Sequence, residues 1–167
     1  MTAHRGARWE QPSESLACPR ENIVDDEITF DALLPRIPDG FYDAVVFSAK
    51  KVLVFQTRWV VMFTFRIVEQ GPYFDVELPG YANIGSDRKN SVKARSCSKL
   101  ASWCRLIAKK KGVRTDRLSL KTFQDFYFKV EVSTVRRNSR QRDLNERDQY
   151  SVVSDIKEII GSLKSDR

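Results

Sequence analysis

Between Arg58 and Val68 the chain alternates. Trp59, Val61, Phe63, Phe65 and Ile67 share one face, and Arg58, Val60, Met62, Thr64 and Arg66 share the other. A period of two marks a half-buried strand, so the first set belongs to a core. The second set, with two arginines and a threonine, meets solvent or a ligand. Ahead of it, "FYDAVVFSAKK" from Phe41 is a β-branched and aromatic run that predicts another strand. "EQGP" then turns the chain, and "YFDVEL" alternates again, with Phe74, Val76 and Leu78 inward and Tyr73, Asp75 and Glu77 outward. Together these runs predict an antiparallel meander of three strands.

The period then changes. "PGYANIGSDRKNSVKAR" is rich in turn residues and reads as a connection. In "SCSKLASWCRLIAKKKG", Cys97, Leu100, Cys104, Ile107 and Ala108 recur at helical spacing with Trp103 beside them. Lys109–Lys111 and Gly112 make a suitable helix C-terminus, since cations offset the dipole and glycine takes the left-handed exit. "FYFKVEVSTV" predicts a fourth strand, with Phe126, Phe128, Val130 and Val132 inward and Tyr127, Lys129 and Glu131 outward. "QYSVVSDI" predicts a fifth, and residues 157–167, "KEIIGSLKSDR", read as a short helical or frayed tail. Residues 1–36 are polar, proline-interrupted and acidic, and read as a largely flexible leader. "IPDG" opens a domain of residues 37–156. The order β-β-β-α-β-β matches the mainly β, five-stranded antiparallel Greek-key barrel of the OB fold, with one helix between strands three and four. Other small α+β sheets give the same string.

Charge sharpens this picture. The net charge of +7 is unevenly spread. Residues 1–40 carry four Arg against eight Asp or Glu, whereas residues 81–117 carry eleven Lys or Arg against two Asp. Residues 136–147 hold five Arg against Asp143 and Glu146. Concentrated positive charge on one domain is the footprint of a polyanion partner. Three cysteines at no metal-ligand spacing point to reduced thiols in a cytoplasmic protein. The one histidine, His4, sits near the terminus, and there is no glycine-rich phosphate loop. The sequence therefore argues against catalysis and implies no cofactor or metal. No apolar run reaches the roughly 18–20 residues of a membrane span, and the N-terminus lacks a signal-peptide core.

"PDGFYDAVV…VLVFQTRWVVMFTFRIVEQGPYFDVELPGY", followed by a basic helix and a closing "YSVVSDI", resembles OB-fold single-stranded-DNA-binding proteins of phages, plasmids and integrative elements. The resemblance spans residues 37–156. It implies a protein that coats unwound strands in replication or recombination of a mobile element, with that element's replication or recombination proteins as partners. The chain departs from the best-known bacterial coating proteins by ending in "GSLKSDR" instead of an acidic tail.

An OB barrel binds a single strand on the exposed face of strands two and three and on the loops joining strands one–two and four–five. That places the arginine-rich stretch in the four–five connection, where a mobile loop carrying Arg136, Arg137, Arg140, Arg142 and Arg147 tracks phosphates and stacks on bases. Candidate aromatic platforms are Tyr73, Tyr81, Tyr127 and, in the one–two loop, Phe55. Arg58 and Arg66 line the floor, Lys50 and Lys51 flank the one–two loop, and Lys129 accompanies Tyr127. Arg88, Lys89 and Lys93 extend the track. The partner expected is single-stranded DNA bound without sequence preference. RNA binding or strand annealing, and an adaptor docking an acidic protein, are the alternatives. Edge strands of such barrels pair in several ways, so a homo-oligomer stays open.

Overall fold

In the computed structural model, residues 34–54, 58–84 and 94–163 are described, apart from the side chain of Arg117. Contacts divide the chain into two units, Met1–Ala32 and Leu33–Arg167. The second unit is mainly β. Strands β1 (Gly40–Val54), β2 (Arg58–Ile67), β3 (Glu77–Asn83), β4 (Phe126–Val135) and β5 (Tyr150–Ser162) surround one core, with helix α1 (Lys99–Lys111) between β3 and β4. No helix among the described residues is long and apolar enough to cross a membrane.

The alternation predicted for β4, and for β2 from Val61 onward, is the alternation of burial, whereas Trp59, expected in the core, is only half-buried and Val60, expected outward, is buried. Val61, Phe63, Phe65, Ile67, Phe126, Phe128, Val130 and Val132 are all in the core. The strands close into a ring in the order β1-β2-β3-β5-β4. β1 makes closure possible because it is long enough to serve two partners, Gly40–Val45 pairing with β4 and Ala44–Val54 with β2. The sheet is mixed, not purely antiparallel as expected. β3 and β5 run parallel, in register at Gly80 and Val153. Parity requires this: strands around a ring that were all antiparallel would alternate in direction, and five cannot alternate without one like-directed pair.

Two further expectations change. "YFDVEL" is not a strand from its start, because Tyr73–Asp75 form the β2–β3 turn and Phe74 is exposed. Leu78, Pro79, Gly80 and Ala82 are the buried residues of β3, although the sequence assigns most of them to a connection. Residues 157–162 do not form a helical tail but continue β5, pairing Glu158 with Lys129 and Gly161 with Tyr127.

Helix α1 ends where predicted, at Gly112, and Ser98 caps its start. The Ser98 hydroxyl accepts from the Ala101 N–H at 3.2 Å, and Gly112 leaves in the left-handed region at φ 66°. Its apolar face sends Trp103 edge-on against Phe63 and Phe65, at 5.5 and 6.1 Å between ring centroids. The buried indole N–H donates to Asp155 Oδ1 at 2.9 Å, tying the helix to β5. The chain entering β1 is strapped to the start of β5: Pro35 O accepts from Ser151 N at 3.0 Å, and the buried Ser151 hydroxyl accepts from Ile37 N and donates to Ile37 O.

Candidate nucleic-acid interface

Outward side chains of β1, β2 and β3 form ladders across one face. Lys50 opposes Met62, which opposes Tyr81; Ser48 opposes Thr64, which opposes Pro79; Val45 opposes Arg66, which opposes Glu77. Lys50, Arg58 and Tyr81 are exposed, whereas Val60 on the same side of β2 is buried. Burial, and after it the neighbouring Tyr150, push the Tyr81 phenol above its usual value. Tyr150 is the first residue of β5, so this corner joins the face to the arginine-rich connection.

That connection, expected as a mobile loop, has the geometry of a short hairpin. Arg137 and Asp143 pair as a bridge, and Leu144 N donates to Arg136 O at 2.8 Å. The Asn138 carboxamide oxygen accepts from the backbone N–H groups of Arg140 and Arg142 at 2.9 and 3.0 Å, while Gln141 takes φ 60°. One asparagine thus holds a tight tip with two arginines on it, using the local hydrogen bonding that suits Asn to turns. Arg136 lies 3.8 Å from Asp39, and Arg137 Nε lies 3.0 Å from Asp143. Both pairs are exposed, where ion pairs contribute about 0–1 kcal/mol and yield readily to a phosphate. Arg140, Arg142 and Arg147 are exposed with no carboxylate partner among the described residues.

Several candidates stand elsewhere. Tyr127 and Lys129 lie on β4, whose outward face belongs to a different wall, made with β1 and β5. There Lys129 sits between Asp43 and Glu158, and Lys157 bonds Glu131 at 2.9 Å and Asp155 at 3.1 Å. On this wall two lysines face four carboxylates, so it carries no excess of positive charge. Tyr73 lies half-buried in the β2–β3 turn, edge-on to Tyr42 at 6.0 Å. Lys51 places its ammonium 4.6 Å from the Trp59 ring centroid. Arg66 is held by Glu77 at 2.6 Å and Asp75 at 3.3 Å, and the Glu77 hydrogen bond makes its guanidinium still harder to deprotonate. Phe55, Arg88, Lys89 and Lys93 lie outside the described residues.

On the helix, Lys99 reaches over the Trp103 ring at 4.8 Å, and burial lowers its pKa. Sequence reasoning passes over Phe47 and Tyr150. Parity along β1, counted from Ala44 and Val46 in the core, is the available signal for Phe47. For Tyr150 none exists, because its place beside Tyr81 depends on ring closure. The arrangement offers guanidinium groups at a hairpin tip, aromatic rings at its base and on the adjoining face, and a β1–β4–β5 wall on which carboxylates outnumber lysines. Comparison with family models, with curated proteins and with solved structures finds no match to this chain.

Proposed function

We propose that this chain is an OB-type Greek-key barrel protein that binds single-stranded DNA with little regard to sequence. The observation supporting it most is the asymmetry of charge. Three arginines without carboxylate partners among the described residues stand in the β4–β5 connection, Arg140 and Arg142 on its hairpin and Arg147 in the turn before β5, beside the Tyr81 face, while carboxylates outnumber lysines on the β1–β4–β5 wall. Guanidinium groups take phosphates in fork geometry and also stack on bases. Exposed rings add sequence-tolerant stacking of about 1–3 kcal/mol per base. A protein of this kind would protect or present unwound strands in replication or recombination of a mobile element, consistent with the sequence resemblance. It uses no catalytic group.

The test is anisotropy of a labelled mixed-sequence oligonucleotide, competed by unlabelled single strands, duplex, RNA and polyglutamate. Single-stranded DNA of any sequence should compete, and duplex should compete less well, because its bases are not available to the rings. Equal competition by RNA extends the ligand to RNA. Displacement by polyglutamate as effective as by DNA would reject the reading in favour of a basic adaptor for acidic proteins.

A further inference from the structure

Phe47 is an exposed aromatic on β1 with no place in the core. Alternation along β1 directs it outward, and the register shift between Val46 and Ser48 lifts it from the pleat. The residue is 53% exposed, on the face that carries Arg66. Bulges of this kind re-aim a side chain. The backbone there is fixed, since Gln124 Nε2 donates to Phe47 O at 2.7 Å. Behind the ring, the Arg66 guanidinium lies 4.2 Å from the centroid. The carboxylates of Glu77 and Asp75 hold that guanidinium in turn. With two carboxylates on it, Arg66 is poorly suited to a phosphate but well suited to steadying a ring. Phe47 is therefore supported from one side and open on the other, which lowers the ordering cost of stacking.

We propose that Phe47 is a nucleobase-stacking platform, backed by Arg66, that forms with Tyr81 a two-ring track running diagonally over β1, β2 and β3. This rests on the nucleic-acid reading and specifies how the bases are held. Between the rings lies the low ground of Ser48 and Thr64, whose hydroxyls bond each other at 3.0 Å. Strand and row spacings put the two rings roughly 12–14 Å apart, a distance that a few nucleotides of a single strand cover. Only unpaired bases can reach both, so the track selects single strands without reading their sequence.

The experiment uses the full chain with a labelled single strand, comparing wild type with Phe47→Ala and Phe47→Trp over a range of salt. It also includes photocrosslinking to 5-iodouracil-substituted DNA. Phe47→Ala should weaken binding on the order of 5- to 100-fold. Its salt slope should stay at the wild-type value, because lost stacking changes no counterion release. Phe47→Trp should keep or improve affinity, and crosslinked peptides should contain Phe47. Thermal melts should coincide, since the ring is half in solvent. Wild-type affinity in Phe47→Ala, or a changed slope, would overturn the track while leaving the DNA reading intact. Loss of self-association in Phe47→Ala, seen by sedimentation without loss of DNA affinity, would make Phe47 a contact between copies and also overturn it. Absence of any binding by the wild type would remove both readings together.

Discussion

Closure of the ring brings β3 tightly against β5 at Gly80. At Gly80, where β3 meets β5 in parallel, a Cβ atom would stand 2.6 Å from Phe65 Cε2, 3.1 Å from Cδ2 and 3.3 Å from Val153 Cβ. Phe65 cannot yield, because its ring is fully buried with Phe63 at 6.0 Å and Trp103 at 6.1 Å. Two opposing effects then decide the outcome of Gly80→Ala. Restricting the unfolded chain stabilises by about 0.4–1 kcal/mol. Overpacking a close-packed core costs about 1–3 kcal/mol. The net expectation is a loss of about 1–2 kcal/mol, and Tm should fall by roughly 3–6 °C per kcal/mol for a domain of this size. Urea unfolding should show a lower midpoint at an unchanged m-value. Gly161→Ala is the matched control, since its Cβ would meet only Tyr127 Cδ2, at an ordinary 3.6 Å. It should be neutral or slightly stabilising. If Gly80→Ala were as stable as Gly161→Ala, the steric argument for this glycine would be wrong.

Other outcomes are equally open to measurement. Asp39 is held below the ordinary aspartate value of 3.8, first by the Thr134 hydroxyl and then, against an opposing push from burial, by the Thr134 N–H and Arg136. A depressed folded pKa stabilises above the unfolded value, and that contribution disappears as pH falls through the folded one. Thr134→Val should therefore lower stability at neutral pH and flatten the loss below about pH 4; an unchanged pH profile would refute this role. Asn138→Ala removes the acceptor that shapes the hairpin tip. DNA affinity should fall a few-fold while the thermal melt stays put, and a large drop in Tm would show instead that the hairpin supports the core.

The parts of the fold legible in the sequence are those where periodicity and burial coincide. β2 and β4 alternate in sequence, and α1 closes on three lysines and Gly112, so the strands and the end of the helix can be read directly, whereas the Ser98 cap is missed. β3 lies further along the chain than its pattern predicts, because Pro79 and Gly80 are turn residues in most contexts. Here Gly80 is needed by the Phe65 ring, a contact far away in sequence. The second half of β5 escapes sequence reading because Ile156, Ile159 and Ile160 fit a helix as well as a bulged strand. Among site residues, the position of the arginine run between two strands is legible. Which arginines are matched by carboxylates is not, since Arg66 and Arg136 find theirs on a neighbouring strand or loop. Composition counts charges, whereas register decides which of them cancel.

Salt dependence measures the claimed contact most directly. For single strands, log K falls against log salt with a slope near −0.7 per phosphate neutralised. Replacing Arg140 and Arg142 of the Asn138-held hairpin, together with Arg147 of the turn that follows it, by alanine should flatten that slope by about 2 and weaken binding most at low salt. Parallel lines for variant and wild type would contradict the account, because these three guanidinium groups would then not be where the polynucleotide lies.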